Sequence, residues 1–94
     1  MNQLVWSKAF VRAFKRMARR DPLLRNRVEK TLIRLTQDHT DPILHSHKLK
    51  GELSGAWACS VDYDVRILFE FVENPEAGLE EILLLTMGTH DEVY

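Results

Sequence analysis

The chain has 94 residues, 45% hydrophobic and 29% charged, with a net charge of −1. A chain of this length buries only roughly 60 to 65% of its unfolded surface, so it reads as one small domain that carries its function on its surface. The composition excludes a disordered chain, no apolar run approaches the ~20 residues of a membrane span, and the opening MNQLVWSKAF lacks the basic-then-apolar pattern of a secretory signal. Cys59 is the single cysteine and has no internal disulfide partner, so it reads as a reduced core thiol in a cytoplasmic protein.

Charge is unevenly spread. Residues 1–50 hold 12 Lys/Arg against 4 Asp/Glu and residues 51–94 hold 1 against 10, which makes the halves +8 and −9. Such segregation suggests that the basic half faces a polyanion or an acidic partner; the alternative is that the halves neutralise each other across the fold.

In chain order, Leu4-Val5-Trp6 predicts a short strand and Ser7 a helix N-cap. From Lys8 to Arg20 the apolar residues Phe10, Phe14, Met17 and Ala18 share one helical face. Asp21-Pro22 ends that helix and starts another, which runs to about Gln37 with Leu24, Val28, Leu32 and Leu35 as its inner stripe. After the breaker Asp38-His39-Thr40-Asp41-Pro42 and a loop to Ser46, His47 to Lys50 reads as a short strand, with turns at Gly51 and at Ser54-Gly55. Trp57, Cys59 and Val61 alternate with Ala58 and Ser60, and Val65, Ile67, Phe69 and Phe71 alternate with Arg66, Leu68, Glu70 and Val72. The two runs predict an antiparallel hairpin whose turn is supplied by Asp62 and Asp64. Following a turn over residues 73–78, the run Ile82 to Met87 suits a central strand covered on both faces, and Gly88 to Tyr94 makes a turn and a short tail. The predicted fold is α+β: an N-terminal strand and an αα-hairpin packed on one face of a small, mainly antiparallel sheet, with the opposite face open.

The histidines at 39, 45, 47 and 90 are the acid/base candidates, because imidazole titrates near neutral pH. His45 and His47 lack the cysteine or helical partner that a zinc site needs, so no metal or cofactor is expected, and His39 reads as a plain surface residue. One helical turn in the tail would put His90 and Tyr94 on the same side. Arg66 is the only basic residue after Lys50 and points away from the predicted core, either into the open groove or into a salt bridge with Glu70 or Asp64. Asp64 is a turn residue or a carboxylate that orients or accepts protons.

The pattern H-K-L-K-G-x-L-x-G-x-W, the strand I-L-L-L and the ending G-T-H-D-E-V-Y resemble the RelE/YafQ group of bacterial toxins, over essentially the whole chain. The resemblance implies one RelE-like toxin domain over residues 1–94. It also implies a ribosome-associated mRNA endonuclease in which the RNA's 2′-hydroxyl attacks the adjacent phosphate, without a metal. A cognate antitoxin would neutralise it, and its other partners would be mRNA and the ribosome. Carried over by position, His47, Asp64, His90 and Tyr94 match functional positions of the YafQ-like branch, and Arg66 matches a strand arginine of the RelE-like branch. Arg12, Lys15, Arg16, Arg19, Arg20, Lys48 and Lys50 would hold RNA backbone. Two positions depart: Ser60 stands where YafQ-like members have histidine, and Thr86 where they have arginine. Those departures keep open a second expectation, a non-catalytic relative that binds a protein target such as DNA gyrase, as ParE-like proteins do, or only its antitoxin.

Overall fold

A computed structural model describes residues 2–53, 55–76 and 78–94, and only the backbone of Glu52. Its elements are β1 (Gln3–Trp6), α1 (Lys8–Arg20), α2 (Pro22–Gln37), β2 (His47–Lys48), β3 (Trp57–Ser60), β4 (Val65–Asn74), β5 (Leu79–Thr89) and α3 (His90–Val93). The sheet order is β1-β5-β4-β3-β2. β1 runs parallel to β5, and every other neighbouring pair is antiparallel. This is the α+β arrangement predicted from the sequence pattern. No described helix is long and apolar enough to cross a membrane.

The helix boundaries follow from local chemistry. Ser7 Oγ accepts the N–H of Phe10 and donates to the carbonyl of Leu85, so the residue that starts α1 also pins it to β5. Asp21 serves two helices: its N–H satisfies the Met17 carbonyl at the end of α1, and its carboxylate accepts the N–H of Leu23 at the start of α2. Pro22 at the first position of α2 gives up an N–H that would have had no partner there. Phe10 and Ala13 from α1 and Leu24, Val28, Leu32 and Leu35 from α2 are buried against Ile67, Phe69, Ile82, Leu84 and Met87 of the sheet. Each large side chain so buried contributes about 1.5–3 kcal/mol of transfer free energy. Thr31, the polar member of the stripe, satisfies its hydroxyl on the Arg27 carbonyl at 2.8 Å.

Three expectations are corrected. β5 lies between β1 and β4 as a central strand, but α1 and α2 cover only one face of it: Ile82, Leu84 and Met87 are buried while Leu83, Leu85 and Thr86 are half-buried. The unbroken apolar run arises from a bulge, because Leu68 pairs with Thr86 but Phe69 with Leu84, which leaves Leu85 unpaired. That extra residue shifts the alternation so that Leu84 and Met87, three apart, face the same core. The strand expected over His47 to Lys50 is two residues long, and Gly51–Leu53 is a 3-10 turn; the turn expected at Ser54 lies outside the described residues, as does Ala77 in the turn over 73–78. His39 is half-buried rather than plain surface, its ring edge-on to Trp57 at 5.3 Å and to Phe71 at 4.9 Å.

The face away from α1 and α2 is less open than predicted. Arg66 and Gly88 are paired across β4 and β5 and so share that face. A side chain on Gly88 would meet Val93 Cγ1 at 3.1 Å and Glu92 Cβ at 3.2 Å, so α3 folds back onto it.

Candidate active site

Where the β3–β4 turn, the segment before β2 and the start of α3 meet, they enclose a cleft of about 620 Å³. Ser60, Asp64, Arg66 and His90 line it, together with His45, Asp62 and Asp91, and the exposed Ile43 and Tyr63.

The β3–β4 turn is built by one aspartate rather than two. Asp62 Oδ1 accepts the N–H groups of Asp64 and Val65 at 3.0 and 2.8 Å, and its Oδ2 lies 3.5 Å from Arg27 Nη1 on α2. The Asp64 carboxylate is thereby left exposed, while its carbonyl accepts the N–H of His90 at 2.8 Å and fixes where α3 begins. Arg66 makes neither of the salt bridges weighed for it. Its Nη1 donates to the carbonyls of Asp62 and Val65 at 2.9 and 3.2 Å. Two of its five N–H groups therefore anchor the guanidinium, and Nε and Nη2 are not engaged by the described residues.

α3 is held by a reciprocal cap: Thr89 N–H donates to Glu92 Oε1 at 2.9 Å, and Glu92 N–H to Thr89 Oγ1 at 3.4 Å. The Thr89 N–H, and then its hydroxyl, hold the Glu92 carboxyl below its usual range, with smaller help from Arg16 and Arg20. The charges of Arg16 and Arg20 on α1 are therefore felt at the helix that borders the cleft. The ring of Tyr94 lies 4.7 Å from that of His90, and its hydroxyl lies 3.4 Å from His47 Nε2, a long contact. Burial pushes the Tyr94 hydroxyl up from its ordinary value. His47 Nδ1 lies 3.0 Å from the carbonyl of His45, which can only accept, so Nδ1 is the donor in that contact and Nε2 faces Tyr94.

The structure thus brings Asp64, Arg66 and His90 together in the cleft and joins His47 and Tyr94 to them through the His90 ring. The basic candidates divide. Arg12, Lys15, Arg16, Arg19 and Arg20 form the exposed side of α1, and Lys50 is exposed. Lys48 pairs with Trp57, shares its face and places its ammonium 5.5 Å over the indole, away from the cleft. Among the described residues Arg27–Asp62 is the one ion pair that joins the basic and acidic halves, so direct pairing does little to neutralise the basic helices. His45, one of the four histidines considered for acid/base work, lines the cleft, and Ile43, Tyr63 and Asp91 line it without having been singled out. The Asp-Tyr-Asp turn could have flagged Tyr63, which is 96% exposed. No three His, Cys, Asp or Glu side chains are grouped as a metal would require, among the described residues.

A basic αα-hairpin on a five-stranded sheet, here with an arginine and a histidine at the open end of its two longest strands, is the arrangement of solved YafQ- and YoeB-type toxins. Structural likeness agrees. YafQ from Escherichia coli BL21(DE3) superposes with a TM-score of 0.79 at 14% identity, over 100% of this chain and 99% of that one. The E. coli DinJ-YafQ complex matches at TM-score 0.76 and 15% identity, over 99% and 97%. A Helicobacter pylori protein solved in solution matches at TM-score 0.71 and 28% identity, over 100% of both chains. No curated protein sequence matches. The sequence profile of the YafQ family, bacterial toxins of type II toxin-antitoxin systems, matches residues 2–94, and the chain belongs to that family.

Proposed function

We propose that this toxin is a ribosome-associated mRNA endonuclease that cleaves by attack of the substrate's 2′-hydroxyl on the adjacent phosphate. The observation that carries the reading is Arg66, tethered through Nη1 to two carbonyls and sharing a cleft with His90 and Asp64. Transesterification of RNA needs a group to take the 2′-proton, a group to protonate the leaving 5′-oxygen, and positive charge where the phosphorane develops. Arg66 supplies that charge through its Nε and Nη2 edge, which no described residue engages, a fork suited to phosphate oxygens. His90 transfers a proton. Asp64 orients the reacting groups, and Tyr94, steadied by His47, stacks or hydrogen-bonds a base. The exposed arginines of α1 hold the backbone on the approach to α3. The E. coli relative is seen in complex with DinJ. An antitoxin of acidic character is the corresponding partner here, covering the sheet or displacing α3.

Cleavage of RNA by the purified protein, with and without ribosomes, and mapping of transcript 5′ ends during growth arrest test the reading. Ser60 and Thr86, where the resemblance implies histidine and arginine, favour a second reading: a binder of a protein target such as DNA gyrase. Intact mRNA together with stalled replication would select it.

A further inference from the structure

Metal-free transesterification uses two proton-transfer groups, one on each side of the phosphate. His47 has its Nδ1 committed to a carbonyl and its Nε2 turned to Tyr94, and it does not line the cleft. Two imidazoles do: His90, on α3, and His45, on the segment before β2. Ser60, at the position where the resemblance implies a histidine, lines the same cleft and brings no imidazole of its own.

His45 is also the only described non-glycine residue in the left-handed region, at φ 49° and ψ 39°. The preceding 3-10 turn, Pro42–Leu44, sets it up: Asp41 caps the turn on Ile43, and the His45 N–H closes it on the Pro42 carbonyl. A histidine held at a dihedral that favours glycine or asparagine, beside a cleft, is backbone strain located where function is.

We propose that His45 is the second proton-transfer residue, paired with His90, and fills the role that Ser60 leaves empty. The proposal rests on the nuclease reading. One of the two imidazoles, neutral, takes the proton of the 2′-hydroxyl as the O2′–P bond forms. The other, protonated, gives its proton to O5′ as the P–O5′ bond breaks. The products are a 2′,3′-cyclic phosphate and a 5′-hydroxyl end. The remaining charged or titratable lining groups, Asp62, Tyr63, Asp64, Arg66 and Asp91, face the same space.

The test compares the parent, His45→Asn and His90→Gln on a short RNA and on its counterpart with sulfur in place of the 5′-bridging oxygen, with and without ribosomes. Asparagine tolerates the left-handed turn, and His45→Gly repeats the measurement with a residue that adopts it freely. On the oxygen substrate, both His45→Asn and His90→Gln should slow single-turnover cleavage by about 100-fold or more. A thiolate leaves without a proton, so sulfur should restore the variant that lacks the acid and leave the variant that lacks the base slow. If His45→Asn and His45→Gly cut the oxygen substrate within a few-fold of the parent, or if sulfur affects the His45 and His90 variants alike, His45 is not the partner while the nuclease reading stands. A parent that leaves both RNAs intact even with ribosomes overturns the nuclease reading and this assignment together.

Discussion

Val93 Cγ1 lies 3.1 Å from where a side chain on Gly88 would begin, so the hydrogen of this glycine is what lets α3 lie down on the face that carries Arg66. Gly88→Val should lift α3 and break the Tyr94–His47 contact while leaving the core in place. Because α3 is four residues long and largely exposed, stability should fall by only about 1 kcal/mol, or roughly 4–8 °C in melting temperature. Near-ultraviolet circular dichroism of Tyr94 and thermal melting report the two effects separately. A loss of cooperative melting would mean that α3 is part of the core.

The Thr89–Glu92 cap makes α3 sensitive to acid. The folded carboxyl of Glu92 sits below its ordinary value of 4.5, chiefly through the Thr89 N–H. A lowered folded value contributes stability that is present above the ordinary value and lost as pH falls through the folded one. The amide of Glu92 should therefore exchange faster as pH is taken below that range, after correction for intrinsic exchange, and Glu92→Gln should remove the pH dependence. An unchanged profile in Glu92→Gln would count against the cap.

Chemistry and binding should separate on substitution. His90→Gln and Arg66→Ala are expected to leave RNA or ribosome affinity within a few-fold and to lower single-turnover cleavage by about two orders of magnitude. Arg66 also anchors the β3–β4 turn through two carbonyls, so melting of Arg66→Ala must be measured alongside. If the folded variants cut at the parent's rate, the cleft is not the reaction centre.

The exposed arginines of α1 should behave in the opposite way. Arg12→Ala combined with Arg16→Ala should weaken binding and flatten its dependence on log salt by about one unit per lost phosphate contact, with the bound-state rate nearly unchanged. An affinity indifferent to salt would remove α1 from the RNA path.

Cys59 should be chemically silent. It is fully buried, and burial pushes its thiol from an ordinary 9.0 up to about 12, with the Arg66 charge pulling weakly the other way. A raised folded value means that its contribution to stability is complete below the unfolded value and is lost as pH rises from there toward 12. At pH 8, iodoacetamide should label the native protein only through its unfolded fraction, on the order of 10⁻³ or less of the population, as mass spectrometry can follow. Labelling at the rate of a free thiol would contradict the burial.

The helical hairpin was legible because its signals are local. Ser7, the Asp21-Pro22 pair and the spacing of Leu24, Val28, Leu32 and Leu35 fix α1 and α2 from neighbouring residues alone, and both boundaries agree with the structure. Arg66 and His90 were legible for a similar reason: the strand alternation turns Arg66 out of the core, and Gly88-Thr89 ends β5 just ahead of His90. What was hidden depends on distant partners. The bulge at Leu85 exists only as a register between β4 and β5, and His39 is half-buried only where Trp57 and Phe71 meet it. The face of Lys48 is set by its pairing with Trp57, and the left-handed turn at His45 by a 3-10 turn whose apolar residues resemble any loop.

The pairing of β1 with β5 has a consequence in time. Ser7 and Leu85, joined by a hydrogen bond, are 78 residues apart, so at a synthesis rate of roughly 5–20 residues per second β1 and the start of α1 wait about 4 to 16 s for their partner. During that interval Leu4, Val5 and Trp6 have no strand to lie against, and Arg66 and His90 have no common wall. The cleft cannot be assembled piecemeal as the chain emerges; it arrives at once, when β5 slots between β1 and β4.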